Sequence, residues 1–404
     1  MIVLADQTHL NWAVETTWGQ PATTGFTTLP ISTENLTGIR RHIRPQVLGA
    51  RPILPLEENA NGEIDTLVTP SLLVQLLQLI LMSSFASQNA SISVQSGQAN
   101  NITLPSHLAD VLSSDDYVWL DDDGADAING WTRYHPASSR AKQTGVLKNS
   151  ETPKLTPSGS GRLTLNRITT RAEAGAQRRM LPMTINKRYG EAGEWVQYTG
   201  MTMRRLDLAT TADSFLSATA SFIGKQASLQ STPFPTATAY NDTQPYSLAA
   251  SDIQIRLIRG KETLDLNATD GMATTGFRLV MEYPTMQPRF GLGSLTPQAI
   301  LVGDLRVHGT IEVMVTGLAL SKWFGVREVA GMECSIQFNG QSSGQASGGG
   351  FAFRIPRLRI AETSNNILLA GEPVRQVLRF DADVDATSNN TTPLVACYYA
   401  PRKG

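Results

Sequence analysis

Two stretches of the chain repeat one pattern: Asn61-Gly-Glu-Ile-Asp-Thr-Leu-Val-Thr-Pro-Ser-Leu-Leu-Val-Gln and, 247 residues later, His308-Gly-Thr-Ile-Glu-Val-Met-Val-Thr-Gly-Leu-Ala-Leu-Ser-Lys. Gly, Ile, Val and Thr fall in register, Asp65 is matched by Glu312, and Leu67 by Met314. Each copy reads as a strand running into a short helix, which opens at Pro70 or Ser71 in the first copy and lies around Leu318 to Phe324 in the second. Gly62, Ile64, Asp65 and Val68, with Gly309, Ile311, Glu312 and Val315, are thus the candidate core of a duplicated unit.

The surroundings of the two copies share an order. Before the first, Asn11 to Pro21 alternates like a strand and ends in a turn, and Phe26 to Leu36 is a second extended segment. After it, the main sheet is expected to resume at Arg162 to Ile168 and to continue through Leu181 to Tyr189 and Trp195 to Leu208. In Phe215 to Gly224, Ser and Thr alternate with Leu216, Ala218, Ala220 and Phe222, as in a half-buried strand. Beyond a Ser/Thr/Pro-rich linker from Ala227 to Tyr246, the second half offers strands at Ile253 to Ile258 and Gly276 to Tyr283, then the second copy, then Cys334 to Phe338, Phe351 to Ile360 and Val377 to Asp383. The expected fold is mainly β (α+β): two tandem sandwich or barrel-like units, residues 1–86 with 161–250 and residues 251–404, each with a short helix.

Two stretches stand apart. From Gly38 to Leu56, Arg40, Arg41, Arg44 and Arg51 are interleaved with apolar residues and with Pro45, Pro52 and Pro55, which reads as a long extended arm rather than a central strand. Its arginines suit a solvated loop face or a basic arm docked on an acidic surface of another subunit. Residues 87–160 are rich in Ser, Asn, Gly and Asp, with short strand candidates at Ile92 to Val94, Tyr117 to Leu120 and Trp131 to Tyr134, and read as an inserted small β module. Within it, Asp121 to Asp126 has the carboxylates of a calcium loop but lacks the closing Glu of an EF-hand, which favours an exposed turn.

Composition narrows the function classes. A formal net charge of −1 provides no basic excess for a nucleic-acid backbone. Two cysteines, Cys334 and Cys397, in so long a chain fit a reducing compartment, and both are expected to be buried. Residues 1–5 lack the basic start of a signal peptide, and the apolar run Leu72 to Met82 is too short to span a bilayer. The five histidines are scattered without a His-x-x-x-His pair, there is no Cys-x-x-Cys, and neither Gly224-Lys225 nor the glycine run 344–350 completes a phosphate loop. No Gly-x-Ser-x-Gly elbow occurs. No catalytic, cofactor-binding or metal-ligating residue is therefore assigned, and the specific signals are architectural.

Read in order, the motifs form a recognisable series. They begin with Glu15-Thr-Thr-Trp-Gly-Gln-Pro-Ala, Ser32-Thr-Glu-Asn-Leu, Ile43-Arg44 with Arg51, and Gly62 to Asp65. They continue with Tyr198-Thr-Gly-Met-Thr-Met, Ser221-Phe-Ile-Gly-Lys225, Leu292-Gly-Ser-Leu295, Val307-His-Gly-Thr310 and Phe351-Ala-Phe-Arg-Ile-Pro-Arg357. Across nearly its whole length the chain resembles the major tail tube proteins of long-tailed (siphophage-type) bacteriophages, departing from them in the 87–160 module and in His308 before Gly309.

The resemblance implies a structural virion protein that polymerises with itself into stacked rings forming the tail tube, the conduit for genome ejection. Such rings present six tube domains, so a chain with two implies a trimer of pseudo-sixfold symmetry. It further implies tape measure, terminator and distal tail proteins as partners, DNA sliding through the lumen without specific binding, and assembly in the host cytoplasm. Under this reading Arg40, Arg41, Arg44 and Arg51, with residues 284–300, are candidate ring-to-ring contacts. The lumen wall should hold few Arg or Lys, and the module should decorate the exterior. The competing reading is a non-catalytic carbohydrate-binding or adhesin module of a phage tail, which accounts for the polar loops, Trp119 and Trp131 but not for the duplicated Gly-x-Ile-acidic core. A glycan-cleaving tail enzyme would require paired acids in a cleft.

Overall fold

The computed structural model describes residues 8–43, 54–94, 101–103, 116–122, 130–136, 144–148, 160–169, 179–189, 194–212, 214–238, 253–259, 262–266, 272–315, 330–337, 350–366, 374–383 and 392–399. The first elements are β1 (Thr8–Val14), β2 (Thr27–Leu29), β3 (Thr33–Glu34), β4 (Thr37–Ile43), β5 (Leu54–Leu67) and helix α1 (Pro70–Leu81). Next come β6 (Ala86–Val94), β7 (Asn101–Thr103), β8 (Asp116–Asp122), β9 (Gly130–Pro136), β10 (Thr144–Lys148) and β11 (Ser160–Thr169). They are followed by β12 (Met183–Tyr189), β13 (Glu194–Thr211), β14 (Ser217–Gly224), β15 (Gln226–Gln230), β16 (Ile253–Arg259), β17 (Glu262–Asp265) and β18 (Met272–Glu282). The last are β19 (Gln287–Phe290), β20 (Pro297–Leu301), β21 (Arg306–Val315), β22 (Ala330–Gln337), β23 (Gly350–Asn366), β24 (Val374–Ala382) and β25 (Val395–Tyr399).

One strand-pairing scheme occurs twice. β1 pairs with β12 and β2, as β16 pairs with β22 and β17. The β12–β13–β14 meander has its counterpart in β22–β23–β24, and β15 lies along β13 as β25 lies along β23. β5 sits between β14 and the β3–β4 run, as β21 sits between β24 and β18. Even the irregularities agree. Pairing slips between Met183 and Ile185 and between Ala330 and Met332, then again between Met203 and Arg205 and between Ile360 and Glu362. Laying Met203 on Ile360 superimposes both pairs of bulges.

The repeated glycines follow from this scheme. Gly62 stands opposite Phe222, and Gly309 opposite Phe380, whose ring covers the missing side chain of Gly309. A Cβ on Gly62 would come within 2.6 Å of the Leu36 Cα, and its φ of +150° suits glycine alone. A Cβ on Gly309 would strike the Arg278 carbonyl oxygen and come within 2.7 Å of the Phe380 ring. Leu36 and Leu279 occupy matching register positions beside these glycines.

Helix α1 is apolar on nearly every side, and Leu72, Leu73, Leu76, Leu77, Ile80 and Leu81 are all buried against the sheets. Thr69 caps its start, Pro70 occupies the first turn, and Met82 ends it in the left-handed conformation. The Tyr283 hydroxyl donates to the Ile80 carbonyl at 2.8 Å and so satisfies one of the last carbonyls of the helix. The second expected helix, Leu318 to Phe324, lies outside the described residues, as do Arg44 and Arg51.

Two expectations change. β11, read as a main-sheet strand, is shared between two sheets: it pairs with β6 and β8 and closes a small antiparallel barrel in the order β11–β8–β9–β10–β7–β6, while its end, Arg167 to Thr169, pairs with β25 of the main body. Alternation alone does not reveal which sheet a strand joins. The 38–56 arm is paired strand at both ends, because β4 and β5 form a hairpin; Pro55 sits opposite His42 next to a register shift, on an edge where a missing N–H is tolerated.

Candidate functional site

β13 does more than pair with β14. Its segment Arg205 to Thr211 also pairs antiparallel with β18, Glu282 to Gly276, and so welds the two repeated schemes into one sheet. The strand order across that sheet is β3/β4–β5–β14–β13–β18–β21–β24–β23. One face packs on the core through Ile64, Ala218, Leu206, Leu279, Ile311 and Leu378, and the other is open.

The chemistry of the open face differs from end to end. On β5 and β14 it is a ladder of hydroxyls and acids: Asp65 accepts from Thr33 at 2.5 Å and from Thr219 at 2.6 Å, and Glu63 accepts from Ser221 at 2.7 Å. At the weld, Arg278 donates from both Nε and Nη2 to Asp207, and Arg205 donates to the same carboxylate at 3.0 Å. Burial would raise the Asp207 carboxyl, but the hydrogen bonds and charges of Arg278 and Arg205 outweigh it and hold the group below the ordinary carboxylate range. Further along, Arg306 pairs with Asp381 at 2.8 Å. The His308 imidazole is kept below its usual pKa mainly by burial, against the pull of Glu282, whose carboxylate lies 4.0 Å away. A groove of about 490 Å³ crosses this face between Gly62 and Arg205.

The sequence-predicted residues that are described each have a definite place. Ile64, Ile311 and Val68 are core; Asp65 and Glu312 lie on the open face; Gly62 and Gly309 are close-approach points. Val315 pairs with Met272 and Val374. Arg40 and Arg41 stand on edge strand β4 and pair within the chain, Arg40 with Glu58 at 3.1 Å and Arg41 with Glu57 at 3.0 Å.

Sequence reading did not anticipate a knot that joins three of its own motifs. The buried Glu15 carboxylate accepts from the backbone N–H of Gly19 at 2.6 Å, that of Gly200 at 2.8 Å, and the Thr184 hydroxyl at 2.9 Å. Trp18 donates to the Gly200 carbonyl at 3.0 Å, and the Lys225 ammonium lies 5.4 Å above the Trp18 ring. Burial raises the Glu15 carboxyl despite these donors. Glu15-Thr-Thr-Trp-Gly, Tyr198-Thr-Gly and Gly224-Lys225 are therefore parts of one junction of strands.

Among the described residues no group of three or more His, Cys, Asp or Glu is placed to hold a metal ion, and no helix is long and apolar enough to cross a membrane. The architecture is a mainly β protein whose joined sheet ends, among the described residues, in two unpaired edges. A family model described as "Phage tail tube protein" matches residues 5–387, and the chain belongs to that family. It is thus a structural component of the phage tail, from a family that assembles into a tube. A search of curated proteins gives no match.

Proposed function

We propose that this chain polymerises into stacked rings that form the tail tube of a long-tailed phage and serve as the conduit for genome ejection. The observation that carries this reading is the joined sheet: two repeats welded edge to edge, with further edges left for pairing. Residues 1–86 with 161–250 form one tube domain and residues 251–404 the second, with 87–160 inserted as a surface module; the repeated pairing scheme supports this division, with β11 shared between the module and the main body. Three chains then make a pseudo-sixfold ring. With eight strand rows per chain, such a ring has roughly 24 strands and spans about 48 Å between opposite backbones at normal strand spacing and tilt.

The open face is the wall of the channel in this reading. Arginines are present there where few were expected. Asp207, Glu282 and Asp381 neutralise Arg205, Arg278 and Arg306, so ion pairing rather than scarcity of arginine limits friction on passing DNA. Arg40, Arg41, Arg44 and Arg51 contribute ring-to-ring contacts, joined by the β19–β20 hairpin, whose Leu292 and Leu295 are exposed. Tape measure, terminator and distal tail proteins are the further partners, and assembly takes place in the host cytoplasm. Electron microscopy of the purified protein tests the reading: rings or tubes with threefold or sixfold symmetry are expected, and compact monomers at all concentrations would overturn it.

A further inference from the structure

The weld between β13 and β18 is a junction between two copies of one pairing scheme, and the chain presents both halves of that junction again, unpaired. The counterpart of the β13 edge is the last part of β23, since Arg205 matches Glu362 by the shared bulge. The counterpart of β18 is the β3–β4 run, since Glu282 beside Arg306 matches Ile39 beside Asn59. Among the described residues, nothing pairs with β23 beyond Leu358 on the side away from β24, nor with the side of β3–β4 away from β5.

We infer that these two edges pair between neighbouring chains in the register of the internal weld, with Glu362 opposite Ile39, Ser364 opposite Thr37 and Asn366 opposite Asn35. The partner is a second copy of this chain, and the inference rests on the ring assembly proposed above. Inside the chain the Tyr283 N–H donates to the Arg204 carbonyl at 2.9 Å. The corresponding bond between chains runs from the Arg40 N–H to the Ala361 carbonyl. Gly38 and Thr363 supply the next rung.

The β3–β4 edge is partly capped by its own side chains. Alternation points the backbone groups of Leu36 outward, where Leu279 meets Leu208 in the internal weld. In the single chain the Leu36 N–H is instead taken by the Glu34 carboxylate at 2.9 Å, and its carbonyl by the Tyr198 hydroxyl at 3.0 Å. Lys187 holds Glu34 from the other side. Pairing therefore begins at Arg40 and Gly38 and reaches Leu36 only when the cap yields, which limits unproductive strand pairing by the isolated chain.

Nor does the acid–arginine lock of the weld recur. The positions of Arg205, Asp207 and Arg278 are held by Glu362, Ser364 and Asn35. Pairing between chains therefore rests on backbone hydrogen bonds without the ion pairs that reinforce the weld within each chain.

Cysteine cross-linking in the full-length chain tests the register, because directly opposed positions without a shared hydrogen bond bring side chains close enough for a disulfide. Oxidised assemblies of T37C/S364C should give a ladder of linked chains that stops at the ring number, with the single-cysteine parents setting the background. I39C/S364C, two positions out of register, should link at least about tenfold less. Rings that form without the 37–364 link, or that link equally in the shifted pair, overturn the register while leaving ring assembly standing. Absence of rings from the unmodified chain overturns the reading beneath both. Independently, R40P should abolish rings while melting like R40A, and ring formation by R40P would count against the Arg40 rung.

Discussion

The two repeats keep their backbone arrangement and exchange their polar chemistry. Both bulges, the glycine–phenylalanine pair and the order of strands recur, down to the strand that crowds Gly62 and its counterpart at Gly309. Apart from the acid shared by Asp65 and Glu312, polar groups diverge: the Gly200 and Lys225 positions, part of a buried knot in the first repeat, become Arg357 and Asp383 in the second, 3.9 Å apart and partly exposed. Backbone register sets how strands and units meet, and side chains are then free to specialise each junction. That division can be broken at several points.

The largest effect is expected at the shared glycines. Gly62→Ala and Gly309→Ala each force a Cβ onto neighbouring backbone and should each cost about 3 kcal/mol or more, read as a fall in urea midpoint. Tolerance at one site alone would mean that the two copies do not share this packing. Next is Glu15→Gln: the amide nitrogen would face the Gly19 or Gly200 donor, and a loss of about 2 kcal/mol is expected in chemical denaturation.

Asp207→Asn should cost less, about 1 kcal/mol, because half-exposed Arg278 and partly exposed Arg205 regain water and solvent screens their pull. Since the folded carboxyl is held below its unfolded value of about 3.9, its contribution is present above that pH and is lost as pH falls through the lower folded value. Wild type and variant should therefore converge in acid, in melts taken from pH 6 down to 2. Smallest is the Arg40→Ala, Arg41→Ala pair: its ion pairs are exposed, so single-chain stability should change by less than about 0.5 kcal/mol each. A marked drop in tube length with unchanged melting would assign these arginines to ring stacking, whereas unchanged tubes would remove them from it.

Much of the architecture was legible because it lies in local pattern. Alternation gave β14, and the Thr69–Pro70 boundary followed by an apolar run gave α1. The repeated Gly-x-Ile-acidic motif marked β5 and β21. Partners were not legible. Nothing local ties Glu15 to Gly200, or Asp207 to Arg278, across 185 and 71 residues. The same holds for β11, whose alternation fits either sheet, and for β4, where arginines and nearby prolines mask a strand completed by its hairpin with β5. The phenylalanines opposite Gly62 and Gly309 were in view as apolar strand residues, but their task depends on register.

The small barrel enters and leaves the main body at one place, because Ala86 on β6 pairs directly with Arg167 on β11. Its two attachment points are cross-strand neighbours about 5 Å apart. A segment held in this way is a cassette. A tight turn joining Ala86 to Arg167 would keep the pairing of Arg167 to Thr169 with β25, so a chain shortened there should still fold, which circular dichroism and a thermal melt of the deletion variant would check.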